Sequence, residues 1–180
     1  GAGTQENIQA LNTSLDRINR LFDDVVLMNK PFEKVSSKEL SAEKLRVLLD
    51  ELIEEFNQAI LVEFSAGEVL VDVKRLRVIL RNLIKNATRY GKVAKISVSK
   101  TQSEVFIDVQ DEGGGVSEAD SQKIFEEFFR SEEAKSKNAD GLGLGLYITN
   151  KMAKEMGASV KLTNPGQPKA NFRLILRRPH

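Results

Sequence analysis

The chain of 180 residues carries 27 basic and 26 acidic side chains, a formal net charge of +1 and 41% hydrophobic residues. This is enough apolar material for one sizeable core, and the near-neutral balance argues against a nucleic-acid binder. The absence of cysteine excludes disulfides, thiol catalysis and thiolate metal sites, and the only histidine, His180, is the last residue, a tail position and not a ligand or base.

The first segment has a coiled-coil rhythm: Ile8, Leu11, Leu15, Ile18, Phe22 and Val25 step by three and four, and Leu21 and Met28 widen the stripe. One such helix cannot bury its own seam, so self-association through it is expected, with folding back onto the rest of the chain as the alternative. Pro31 is expected to stop the helix. A short strand is expected over 32–35, and Ser41 caps a second helix running to about residue 59. Strands over 61–64 and 68–72 follow, separated by Ala66-Gly67, and then a long helix over 73–89 with Leu76, Ile79, Leu80, Leu83 and Ile84 inside. Residues 95–100 and 104–110 alternate cleanly and predict a hairpin. Ser117 caps a short helix reaching Phe125. Residues 130–140 (RSEEAKSKNAD) are polar without a period and predict a mobile loop. A glycine–leucine run over 141–146 opens a further helix, and strands over 159–163 and 171–176 close the chain. Elements mixed in this way predict an α+β fold, a mixed sheet with helices on one face. No apolar run approaches the roughly 20 residues of a membrane span, so no membrane contact is expected.

Three places could carry chemistry. Asn82 and Asn86 lie four apart on the long helix and share a face. Their amide oxygens are the hard ligands that Mg²⁺ accepts beside waters and phosphates, though a solvated polar face reads the same way. Arg89, one turn on, could reach a phosphate. Asp111-Glu112-Gly113-Gly114-Gly115 ends a strand: a carboxylate there can accept a hydrogen bond from an exocyclic amine such as adenine's, and the glycines let a base approach. An acidic turn is the plain alternative. The run Gly141, Leu142, Gly143, Leu144, Gly145 sits where a helix begins, and a helix start offers unpaired N–H groups and a positive dipole end to an anion. Phe125, Phe128 and Phe129 read as packing residues at the base of the polar loop. Arg130 is either a phosphate contact or a surface arginine.

In order, LRNLIKNATRYG, DEGGG, IFEEFFR and GLGLGLYI resemble the N, G1, F and G2 boxes of the sensor histidine kinases, whose ATP-binding fold is shared with gyrase, Hsp90 and MutL. The resemblance covers residues 41–180. The phenylalanine box is what points to the kinases among these. The leading helix resembles the second helix of the kinases' dimerisation and phosphotransfer hairpin. The resemblance implies an incomplete hairpin over 1–30 and an ATP-binding catalytic domain over 31–180, a two-layer α/β sandwich. It implies that Asp111 binds the adenine amine in a pocket shaped by Gly113 and Gly115, and that Asn86 holds Mg²⁺ with support from Asn82. Arg89 and Tyr90 would face phosphates or ribose, with Arg130 a further phosphate contact. Gly141, Leu142, Gly143, Leu144 and Gly145 would hinge a lid over 116–140 and offer N–H groups to the phosphates.

The implied chemistry is transfer of the ATP γ-phosphate to a histidine and then to an aspartate on a response regulator receiver domain, in the cytoplasmic part of a membrane-anchored sensor. The chain departs from that pattern in carrying no acceptor histidine followed by an acidic residue, so it is expected to bind ATP without phosphorylating itself. It also carries Gly157-Ala158 and Gly166-Gln167-Pro168 where the kinases often have paired glycines. The alternative function is a nucleotide-dependent interaction module or degenerate kinase that moves no phosphate. A gyrase-like ATPase is disfavoured, because no Glu or Asp lies between residues 73 and 89 to activate water.

Overall fold

A computed structural model describes residues 2–29, 34–137 and 142–179. The first helix, α1, runs over Ala2–Asn29. Ile8, Leu11, Leu15, Ile18 and Phe22 lie exposed along it, so this part of its apolar seam is not packed on the rest of the chain. The side chains of Leu21, Val25 and Met28 lie outside the described ones, as do Pro31 and Phe32. Lys34 and Val35 form no strand. The Ser36 N–H is instead taken by a side chain, Asp72 Oδ2 at 3.0 Å, and the strand forms further on, β1 (Lys38–Leu40).

Ser41 caps α2 (Ala42–Glu55) by accepting the Lys44 N–H, and the helix buries Leu45, Leu48, Leu49 and Leu52. It ends four residues before the expected point. Phe56 turns extended and its N–H closes onto the Leu52 and Ile53 carbonyls, which frees Ala59 to open β2 (Ala59–Phe64). Then follow β3 (Val69–Val71), α3 (Val73–Gly91), and the expected hairpin of β4 (Ala94–Lys100) and β5 (Glu104–Gln110). β3 does not pair with β2 across Ala66-Gly67. It pairs antiparallel with β1 in a small separate sheet.

Ser117 caps one turn through Asp120, and only Lys123–Phe125 is helical there, as a 3-10 turn. The polar stretch expected as a loop contains a helix, α4 (Glu132–Lys137). Ser131 explains it: its Oγ accepts the Ala134 N–H at 3.2 Å, a local cap that needs no apolar period. The chain closes with α5 (Gly145–Glu155), β6 (Ser159–Leu162) and β7 (Asn171–Arg177).

The main sheet has the order β2-β4-β5-β7-β6, parallel between β2 and β4 and antiparallel elsewhere. Alternate residues of its central strands point to one face: Ile96 and Val98, Val105, Ile107 and Val109, Phe172, Leu174 and Leu176. On them sit Leu76, Ile79, Leu80, Leu83 and Ile84 of α3 and Ile148, Met152 and Ala153 of α5. Each large side chain so buried contributes about 1.5–3 kcal/mol. The mixed sheet with helices on one face is as expected.

A buried ionic knot pins α3 to α5. Asp72 caps α3, taking the Arg75 N–H on Oδ1 at 3.1 Å and the Arg75 guanidinium on Oδ2 at 2.8 Å. Arg75 Nε reaches Glu155 Oε2 at the end of α5, at 3.2 Å. Burial pushes the Asp72 carboxyl up, but the Ser36 and Arg75 N–H groups and the guanidinium outweigh it and hold the group below the ordinary carboxylate range. A depressed folded value gives stability that is complete above the unfolded value of about 3.9 and fades as pH falls through the folded one. Asp72→Asn is expected to cost about 3 kcal/mol in urea unfolding at pH 7, because it takes the buried carboxylate away from a buried guanidinium, and the gap to wild type should narrow as pH drops below about 4. A gap that stays constant down to pH 3 would remove the carboxylate from this role.

Candidate functional site

One cleft opens between α3, the end of β5, the segment leading into α4 and the start of α5. Asn82, Lys85, Asn86, Arg89 and Tyr90 line it from α3, and Asp111, Gly113, Gly114 and Gly115 from the turn after β5. Arg130, Ser131 and Ala134 close one side, and Leu142, Gly143, Leu144 and Gly145 another. Every described site residue expected from the sequence lines this cleft. Gly141 lies outside the described residues.

At one end Asp111 is buried, its Oδ1 accepting the Gly113 N–H at 2.8 Å. Its backbone is fixed by the Ala170 carbonyl, at 3.0 Å from the Asp111 N–H. Two more backbone bonds tie the β6–β7 loop to the glycine turn: Lys169 N–H to Gly113 O at 2.9 Å and Gly166 N–H to Val116 O at 2.7 Å. Gly115 has φ +85°, and a Cβ there would fall 1.8 Å from the Gln167 carbonyl oxygen. Glu112 bridges Lys95 on β4 and Lys169 in the loop, and these two ammonium groups hold it below the ordinary carboxylate range. The loop Gly166-Gln167-Pro168, which departs from paired glycines, thus backs the turn through its main chain.

At the other end α5 begins with no side-chain cap at Leu144, so its first N–H groups face the cleft without a side-chain acceptor. Asn82 Nδ2 points at the Gly145 carbonyl and Thr149 Oγ1, both at 3.4 Å, which spans α3 and the first turn of α5. The Asn86 side chain has no hydrogen-bond partner among the described residues, is half-buried and lines the cleft, so its amide is available to a ligand. Arg89 stacks on Tyr90, 5.7 Å from the ring centroid. Arg130 donates to the Ala134 carbonyl at 2.8 Å, so it also staples α4 to the rim.

The phenylalanines divide. Phe125 meets Phe172 edge-on at 6.3 Å and Phe129 packs on the core, as expected for packing residues. Phe128 does not: its left-handed backbone, φ 62°, turns the ring outward and leaves it 58% exposed. Sequence reasoning missed Lys85 and Gly91. Lys85 is three residues beyond Asn82 and its helical neighbour, a usable signal. Gly91 ends α3 where a Cβ would fall 2.4 Å from the Glu112 nitrogen, a close approach that no periodicity announces.

Residues 71–180 match the family described as histidine kinase-, DNA gyrase B- and HSP90-like ATPases. The chain belongs to that family. Its curated relatives are sensor histidine kinases. YcbM of Bacillus subtilis is 29% identical over 178 residues, covering 94% of this chain and 57% of the relative. MtrB of Mycobacterium leprae is 30% identical over 184 residues, covering 96% and 33%. The chain thus spans only part of the relatives it matches. Full-length ShkA, solved in complex with AMPPNP, superposes with a TM-score of 0.74 at 24% identity, covering 97% of this chain and 39% of ShkA, a likeness of fold. No described helix of this ATPase-family domain is long and apolar enough to cross a membrane.

The two described glycines of the run differ. Gly143 has φ +72° and a Cβ there would lie 2.4 Å from the Phe129 carbonyl oxygen, whereas a Cβ on Gly145 would meet nothing within 4 Å. Gly143→Ala is therefore expected to cost about 2–3 kcal/mol in chemical denaturation, while Gly145→Ala stays within about 0.5 kcal/mol of wild type. If Gly145 is bare to admit a ligand, its alanine variant should lose nucleotide affinity in calorimetry while keeping its stability.

Proposed function

We propose that this domain binds Mg-ATP as the catalytic part of a sensor histidine kinase, donating the γ-phosphate to a histidine on a helix supplied by another segment or chain, for onward transfer to a response regulator aspartate. The observation that supports this most is the polarity of the cleft. A buried carboxylate with a glycine turn stands at one end, and an uncapped helix start with cations stands at the other. Asp111 would accept the adenine amine while Gly113 and Gly115 keep side chains away from the base. Tyr90 and Arg89 would flank ribose and phosphates. The main-chain N–H groups of residues 142–145, leading into α5, and the Arg130 guanidinium would take the phosphate oxygens.

The donor set also fits a magnesium ion. Among the described residues no three His, Asp or Glu side chains cluster to form an all-protein cage. Asn86 offers one free amide oxygen, and Mg²⁺ commonly takes one or two protein oxygens beside phosphates and waters. Bound there, the ion would neutralise charge on the transferring phosphoryl group. Asn82 would hold the start of α5 against α3, keeping those N–H groups aimed inward. Residues 116–140, joined to α5 through Gly143, would form the lid.

The exposed seam of α1 supports self-association through that helix, as the second helix of a dimerisation hairpin over 1–30 with the ATP-binding domain over 31–180. Asp111→Asn turns one acceptor into a donor, so ATP affinity in titration calorimetry is expected to fall about 10- to 100-fold with an unchanged unfolding curve. Unchanged affinity would count decisively against the adenine assignment. Mixed with a polypeptide carrying the acceptor-histidine hairpin, the domain should label that histidine from γ-labelled ATP. Tight ATP binding with no label would favour an interaction module.

A further inference from the structure

We propose that Lys85 reads the terminal phosphate of the bound nucleotide, making the cleft selective for a nucleoside triphosphate over the diphosphate. The proposal rests on the adenine-nucleotide reading of the cleft and deepens it.

Three cations of α3 already have carboxylate partners. Arg75 is spent on Asp72 and Glu155, Arg77 on Glu51 at 2.6 Å, and Arg81 on Glu55 at 2.8 Å. Lys85 has no carboxylate partner among the described residues, is half-buried, and lines the cleft. A half-buried ammonium without a counter-ion is costly unless an anion arrives. Asp111 is the one carboxylate among the described residues lining the cleft, and it stands at the far end.

Direction along α3 then assigns the phosphate. Gly91 abuts Asp111, a Cβ there falling 2.6 Å from the Asp111 Cβ, so the base end of the cleft lies at the C-terminus of α3. Lys85 is six residues back, about 9 Å along the helix axis at 1.5 Å per residue. It lies about 60° around the helix from Asn82, which holds the start of α5. A nucleotide with its base on Asp111 runs its phosphates past Arg89 and Asn86 before it reaches Lys85. The last phosphate is therefore the one within range of this ammonium, while the earlier ones are nearer to Arg89.

The test is titration calorimetry of ADP and of a non-hydrolysable ATP analogue, with Mg²⁺, against wild type, Lys85→Met, Lys85→Gln and Lys85→Arg. Both neutral variants keep helix propensity and remove the charge. They are expected to lose about tenfold for the triphosphate and less than about twofold for ADP, and Lys85→Arg should recover most of the loss. Equal losses for both nucleotides, or no loss for either, overturn the assignment of Lys85 while leaving the nucleotide site standing. If wild type binds neither nucleotide, the reading of the cleft itself fails and this proposal with it.

Discussion

The contact between the last turn of α3 and the end of β5 decides where everything else in the cleft can stand. Gly91 meets the Asp111–Gly113 main chain so closely that a Cβ would fall 2.4 Å from the Glu112 nitrogen and 2.8 Å from the Gly113 nitrogen. A helix and a strand end brought together without side chains between them share one rigid corner. From that corner α3 carries Tyr90, Arg89, Asn86, Lys85 and Asn82 outward along one wall, at a spacing set by the helix. The β6–β7 loop buttresses the corner from behind, through the Lys169 and Gly166 N–H groups and the Glu112 bridge. The Asp111 carboxylate is held in that corner by the Gly113 N–H, and its main chain by the Ala170 carbonyl, so its direction into the cleft is fixed.

The opposite wall is fixed by clamping α5 to α3 at both ends. Arg75 holds Glu155 at the C-terminal end and Asn82 reaches Gly145 and Thr149 at the N-terminal end. Between them the buried side chains of Ile148, Met152 and Ala153 press on the core. A helix held this way cannot turn its uncapped start toward solvent. Asp72 joins the same knot to the stretch that follows α1 through the Ser36 N–H, so the entry of the chain into the domain and the seating of α5 share one carboxylate. The Glu112 and Asp72 carboxyls are both held low, by different means: Glu112 by two lysines in solvent, Asp72 inside the fold by main-chain N–H groups and a guanidinium. Only the second is sheltered from screening, and it is the one that carries structural weight.

Much of this was legible in the residues because it is periodic. The stripe of Leu76, Ile79, Leu80, Leu83 and Ile84 announces α3, the strict alternation of β4 and β5 announces the hairpin, and the four boxes lie in the order the cleft assembles them. The misreadings fall where local hydrogen bonding overrides pattern. Ser131 nucleates α4 in a polar stretch, Asp72 takes the Ser36 N–H and shifts the first strand to Lys38–Leu40, and the turn at Phe56 ends α2 early. Phe128 reads as one more packing aromatic because sequence does not show that its backbone is left-handed. Gly91 carries no sequence signal at all, and the helical spacing that puts Lys85 beside Asn82 does not say whether its charge is paired. One matters through a close approach and the other through the carboxylate it lacks, and both are properties of the assembled structure.

The leading helix follows a different logic from the domain it precedes. Its seam of Ile8, Leu11, Leu15, Ile18 and Phe22 stands in water, and burying such side chains is worth about 1.5–3 kcal/mol each. A single helix draws little stability from its own hydrogen bonds, so this surface is where a partner helix has most to contribute. In the domain that follows, α3 and α5 already cover the apolar face of the sheet. The exposed Phe128 stands on the segment that leads into α4, next to Phe129, which lines the cleft, so the core accounts for one aromatic of that pair and not for the other.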